Sequence, residues 1–67
     1  LLEKGADVNV KNSAGNTALI DASREGHVGI VRLLLNKGAD VNVENNAGNA
    51  SWDYARTMGH EAIIDLL

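Results

Sequence analysis

Two histidines, His27 and His60, stand 33 residues apart, each directly after a glycine. Imidazole titrates nearest neutrality and is a frequent metal ligand. With no cysteine in the chain, a zinc site built on these two would need carboxylates to complete it. A position just after a helix-ending glycine suggests a structural imidazole instead, one that satisfies loose backbone groups between two helices. Asp40-Val41-Asn42-Val43-Glu44 places oxygen-bearing side chains at alternate positions, as a calcium loop does, and Asp7-Val8-Asn9 begins the same way. The pattern then fails, because Asn45 and Asn12 stand where such a loop needs glycine, and Ser51 and Ala18 where it needs glutamate. The plainer reading is an alternating segment whose Asp and Asn side chains bond neighbouring backbone groups.

Ser23, His27 and Asp21 contain the residue types of a hydrolytic triad, but no Gly-x-Ser-x-Gly elbow presents the serine. Gly26-His27-Val28-Gly29 lacks the glycine spacing that cradles a dinucleotide, and no phosphate-binding loop is present. No catalytic, cofactor or metal residue is therefore assigned. Asn49-Ala50-Ser51 matches a glycosylation sequon, which matters only in a secreted chain.

With 67 residues, the chain has room for no more than one small domain or a piece of a larger one. Its 45% hydrophobic and 22% charged residues are ordinary globular composition and argue against disorder. The net charge of -3 disfavours a polyphosphate partner, so no nucleic acid is expected. Apolar runs such as Leu33-Leu34-Leu35 are far too short to span a bilayer, and no leader-like segment is seen, so no membrane is expected either. Location is left open, with the cytoplasm as the default.

The elements that position these residues follow from a repeat. Aligning residues 1–34 with residues 34–67 makes 19 of 34 pairs identical, too many for composition to explain. Lys4-Gly5-Ala6-Asp7-Val8-Asn9-Val10 returns as Lys37-Gly38-Ala39-Asp40-Val41-Asn42-Val43, and Asn12, Ala14, Gly15 and Asn16 return as Asn45, Ala47, Gly48 and Asn49. Ala39, Val41 and Val43 alternate with Asp40, Asn42 and Glu44, the period of a short extended segment. Asn45-Asn46-Ala47-Gly48 then turns the chain. Thr17 suits the cap of a short helix running to about Glu25, with Leu19 and Ala22 on one face and Gly26 as its stop. A second helix is expected over about Val28–Asn36, burying a stripe of Ile30, Val31, Leu34 and Leu35 and wetting Arg32 and Asn36. Gly38 and Gly5 suit the ends of such second helices. Helices of this length are marginal alone, so successive units must stack to cover their apolar sides.

Gly15-Asn16-Thr17-Ala18-Leu19, Ala22, Gly26-His27, Ile30-Val31, Leu34-Leu35 and Gly38-Ala39-Asp40-Val41-Asn42 together resemble an ankyrin repeat. The resemblance covers the whole chain. It implies an all-α solenoid of stacked antiparallel helix pairs joined by hairpin-like loops. Ala18 and Ser51 replace the family's usual proline, and Ile20 and Asp53 its usual histidine, which weakens the start of each first helix. The expected division is the end of a preceding repeat over 1–10, a complete repeat over 11–43, and a second repeat over 44–67 that stops within its second helix. Further repeats are expected on the N-terminal side.

The second unit differs most where Trp52, Tyr54 and Met58 replace Leu19, Asp21 and Glu25. Trp52 is either a binding hot spot or the occupant of the core slot of Leu19, and its shared register favours the core. Tyr54 and Met58 replace charged residues and are expected at the surface. Asp53 and Arg56 replace Ile20 and Ser23, making an ionic flank of the kind a terminal repeat needs.

The resemblance implies that hairpin tips and first helices form a surface that binds another protein and requires no chemistry. The matching positions are Ser13, Ala14 and Asn16 with Asp21, Arg24 and Glu25 in one unit, and Asn46, Ala47 and Asn49 with Tyr54, Thr57 and Met58 in the next. A substrate-docking or regulatory segment of a larger enzyme and a passive structural spacer are the alternatives. The resemblance also implies possible hydroxylation of Asn9 and Asn42. Since about three units are needed for independent stability, the isolated 67-residue chain is expected to be weakly folded or to associate through its ends. Thermal unfolding combined with sedimentation checks this, and a cooperative transition of a monomer contradicts it.

Overall fold

A computed structural model describes residues 8–67, and among them lie four helices and no strand. They are α1 (Ala18–Glu25), α2 (Val28–Asn36), α3 (Ser51–Met58) and α4 (Glu61–Leu66). The expected end of a preceding repeat, with Gly5 as its helix stop, falls largely on residues 1–7, outside those described.

The first helix, α1, lies where its capping residues place it. The Thr17 backbone is extended and its hydroxyl accepts from Ile20 N at 3.3 Å, which pairs one of the donors that a helix start leaves open. At the other end Gly26 turns left-handed, and its N–H and that of His27 both donate to the Ala22 carbonyl at 2.9 and 3.0 Å. In α3 the threonine is replaced by Ala50, which carries no capping oxygen. Asp53 compensates, because its Oδ2 accepts from Ala50 N at 2.9 Å and its charge sits in the positive first turn of the helix.

α1 packs on α2 and α3 on α4, and the pairs stack through α1 on α3 and α2 on α4. Leu19, Ala22, Val31 and Leu34 of the first pair share one core with Ala55 and Ile63 of the second. Each large member contributes about 1.5–3 kcal/mol through burial. The stack is therefore a requirement for helices this short, which form too few internal bonds to persist alone.

Two expectations are corrected at the flanks. Val31 and Leu34 are buried and Leu35 is half-buried, but Ile30 is 49% exposed. Its counterpart Ile63 is 0% exposed, because α2 covers that side of the second pair and no described element covers it on the first. Trp52 does not fill the core slot of Leu19. It is 44% exposed against 1% for Leu19, since α3 lies over Leu19 whereas Trp52 points to the far flank of the stack.

The segment between the pairs keeps its alternation without becoming a strand. Ala39, Val41 and Val43 are half-buried while Asp40, Asn42 and Glu44 are exposed. Asn42 N donates to Asp40 Oδ1 at 2.8 Å, and Asp40 N donates to Asn9 Oδ1 at 2.7 Å. Side-chain oxygens thus take donors that a ladder would otherwise use. Ahead of each first helix lies the same tight tip, closed by Asn12 N to Asn16 O and by Asn45 N to Asn49 O, both 2.9 Å.

Those tips nest closely. Gly15 and Gly48 both sit at φ +80, but a Cβ on Gly15 would lie 2.6 Å from Asn46 Oδ1 and 2.8 Å from Asn46 N, whereas one on Gly48 meets nothing. Gly48→Ala should cost about 1–2 kcal/mol from backbone strain alone. Gly15→Ala should cost at least about 1 kcal/mol more, because the next tip must also move. Chemical denaturation of the two variants measures the difference, and equal losses would show that the tips do not bear on one another.

Candidate protein-interaction face

The face expected to bind a partner is organised by an asparagine that stands at the start of each tip. Asn12 Oδ1 accepts from Ala14 N and Asn16 N, and Asn45 Oδ1 accepts from Ala47 N and Asn49 N, all at 3.0 Å. Asn45 then reaches sideways, where its Nδ2 donates to Asn16 Oδ1 at 2.8 Å and to the Tyr54 hydroxyl at 2.7 Å. One side chain therefore joins both tips to α3. Asn46 adds a second clamp, since its N donates to the Ala14 carbonyl and its Nδ2 to the Ser13 carbonyl, each at 3.0 Å.

The residues proposed from sequence divide accordingly. Asn16 is 7% exposed and serves as an internal acceptor, so a partner cannot reach its side chain. Asn46 is exposed, but its amide is committed to the neighbouring tip. Ser13, Ala14 and Ala47 are exposed at the tips, and Asn49 is half-buried. On the helices, Asp21 and Arg24 are half-buried, with Arg24 Nη2 3.1 Å from Asp21 Oδ1 and 3.8 Å from Glu25 Oε2. The same guanidinium lies 6.0 Å from the centre of the Tyr54 ring. These solvent-accessible, half-buried ion pairs contribute at most about 1 kcal/mol. Their effect is to hold Arg24 between two carboxylates and an aromatic ring. Thr57 and Met58 are exposed beyond Tyr54 on the last turn of α3, Met58 by 54%.

Tyr54 is half-buried, with its hydroxyl bonded to Asn45, so it both shapes the face and holds the tip. Sequence reasoning missed Asn45 as the organiser. The available signal was the recurrence of Asn12 as Asn45 at the first position of each turn, where a short amide bonds the backbone two residues on.

His60 plays the structural part expected of it. Its Nε2 lies 3.2 Å from the Arg24 carbonyl, one of the acceptors left open where α1 ends, and its ring packs where a Cβ on Gly26 would fall. His27 instead lies 3.3 Å from Glu25 Oε1 at the surface. Asn42 is exposed, Asn9 is half-buried with its carbonyl oxygen bonded to Asp40 N, and Ser51 of the sequon is buried. Among the described residues, no group of three or more His, Asp or Glu side chains could hold a metal ion, and no helix is long and apolar enough to cross a membrane. A cleft of about 240 Å³ opens beside Ala18, Asp21, Ala22, Glu25, His27 and Ile30. It is below the usual size of a small-molecule site.

Asn45→Ala should remove four hydrogen bonds and leave Asn16 Oδ1 buried without this donor, costing about 2–4 kcal/mol. Asn12→Ala should cost less, and Tyr54→Phe about 0.5–1.5 kcal/mol. Combining Asn45→Ala with Tyr54→Phe should cost less than the sum, because both remove one shared bond. Strict additivity in denaturant titrations would show that the bond contributes nothing.

The family described as "Ankyrin repeats (many copies)" matches residues 1–55. Among curated proteins, Probable E3 ubiquitin-protein ligase XBOS33 of Oryza sativa subsp. japonica is 63% identical over 35 residues. E3 ubiquitin-protein ligase XBAT33 of Arabidopsis thaliana is 57% identical over 35 residues. Each match covers 52% of this chain and only 7% of the relative. Repeats of this family are protein-interaction modules, and in these relatives they lie within a larger enzyme. With its described helices in stacked pairs and a family match over most of its length, this chain belongs to the ankyrin repeat family.

Proposed function

We propose that this chain is a non-catalytic docking segment whose tips and first helices bind another protein. The observation that supports it best is the arrangement around α3, where exposed Met58 and Thr57 adjoin a Tyr54 and Arg24 pair already held by Asn45, Asp21 and Glu25. Side chains fixed before contact lose little entropy on binding, and a large flexible thioether adapts to an apolar partner surface. Ser13, Ala14, Ala47 and Asn49 extend the face along the tips. A standard interface takes roughly 800 Å² from each partner, and the repeats expected before residue 11 would add to the area this face supplies.

A second reading is favoured by the relatives, which carry their similar segments inside E3 ligases. In it, the face recruits the protein on which a parent enzyme acts. Both readings use the same residues and differ in the fate of the partner.

A photo-crosslinking amino acid placed at Met58 in the full-length parent should capture a defined protein, while the same group at Arg32, exposed on α2, should not. Met58→Ala with Thr57→Arg should weaken that complex about tenfold or more, with helicity unchanged. Equal capture at both positions, or unchanged affinity in the double variant, would refute the docking face. Ubiquitylation of the captured protein by the parent would select the second reading.

A further inference from the structure

The docking face is chemically uneven, and its pattern selects among partners. Arg24 Nη2 lies 3.1 Å from Asp21 Oδ1 and 3.8 Å from Glu25 Oε2, so one guanidinium serves two carboxylates. A negative charge is left over. It centres on Glu25, whose side chain is 56% exposed against 39% for Asp21 and whose contact with Arg24 is too long for a hydrogen bond. On the next stacked helix Met58 occupies the register of Glu25, one turn beyond Tyr54, and presents an apolar thioether. We propose, resting on the docking role given above, that the partner places a lysine or arginine here, with its aliphatic stem along Met58 and Tyr54 and its charged head at Glu25.

The openness of this register belongs to the stack itself. Glu25 has α3 packed against its helix from the following pair, and Met58 has α1 packed against its helix from the preceding pair. Their exposures are 56% and 54%, so a neighbour on either side leaves the position open. Ser23 and Ala55, at the contact between the two helices, are both 0% exposed. Stacking therefore buries one stripe of each first helix and spares the stripe that carries Glu25 and Met58.

Three kinds of partner group fare differently on that stripe. An acidic group approaching Arg24 becomes the third carboxylate around one guanidinium, and Asp21 and Glu25 repel it. A wholly apolar group covers Met58 but takes Glu25 out of water without an opposite charge, which is costly. A lysine or arginine avoids both losses, because its methylene stem buries against apolar surface while its head stays at the carboxylate. The net charge of -3 draws such a segment in from a distance. His27 Nε2, 3.3 Å from Glu25 Oε1, adds a hydrogen bond and no charge while its imidazole is neutral.

The probe is a random-peptide phage library panned on the full-length parent at about pH 8 and low salt, where imidazoles are neutral and screening is weak. Peptides that no longer bind a Met58→Ala parent belong to this face. They should carry lysine or arginine beside an apolar residue. Glu25→Lys should weaken their binding about tenfold or more, and the loss should shrink in about 0.5 M salt. Glu25→Gln removes the charge with little change of shape and should weaken binding by less, which guards against a lysine variant that folds poorly. Met58-dependent peptides that lack cations, or that bind both Glu25 variants unchanged, would overturn the cationic partner and leave the docking face in place. Recovery of no Met58-dependent peptide would overturn both.

Discussion

Everything in this chain depends on one helix pair covering the next. An eight-residue helix forms too few internal bonds to offset the entropy of fixing its backbone. α1 and α3 persist because Leu19, Ile20 and Ser23 on one side and Ser51 and Ala55 on the other are removed from water together. Small residues on α3 are what permit this approach. The hydroxyls of Ser23 and Ser51 are buried with no hydrogen-bond partner among the described residues, so these serines serve the interface by their size.

Polar bonds run across the same boundary and fix its register. His60 meets the open end of α1, Asn46 meets the carbonyls of Ser13 and Ala14, and Asn9 meets Asp40 N. Lys11 Nζ donates to the Glu44 carbonyl at 3.2 Å. Each joins residues about one repeat apart, and each satisfies a backbone group that a turn or helix end leaves open. The face around Tyr54 is a by-product of this requirement, since Asn45 must bind both tips and then orients Tyr54.

The fold was largely legible because its signals are local. Thr17, Gly26 and Gly38 set helix limits by their own chemistry, and the 33-residue recurrence declared the stacking. Burial was harder to read, because position in the array decides it as much as residue type. Trp52 shares the register of Leu19 yet lies on an uncovered flank, and Ile30 and Ile63 are the same residue with opposite exposure. That Met58 is exposed, and that Asp21, Arg24 and Tyr54 stay out of the core, was legible from register. The roles of Asn16 and Asn45 were not, because both depend on a bond between residues 29 apart.

The two helix pairs stabilise each other rather than folding separately. Native-state hydrogen exchange on Ala55→Leu tests it most directly, since Ala55 is 0% exposed and a larger side chain there forces the pairs apart, at about 1–3 kcal/mol. Mutual dependence predicts that the amides of Ala22 to Glu25 in α1 lose protection together with those of α3. Loss confined to α3 and α4, with α1 and α2 protected as before, would contradict it.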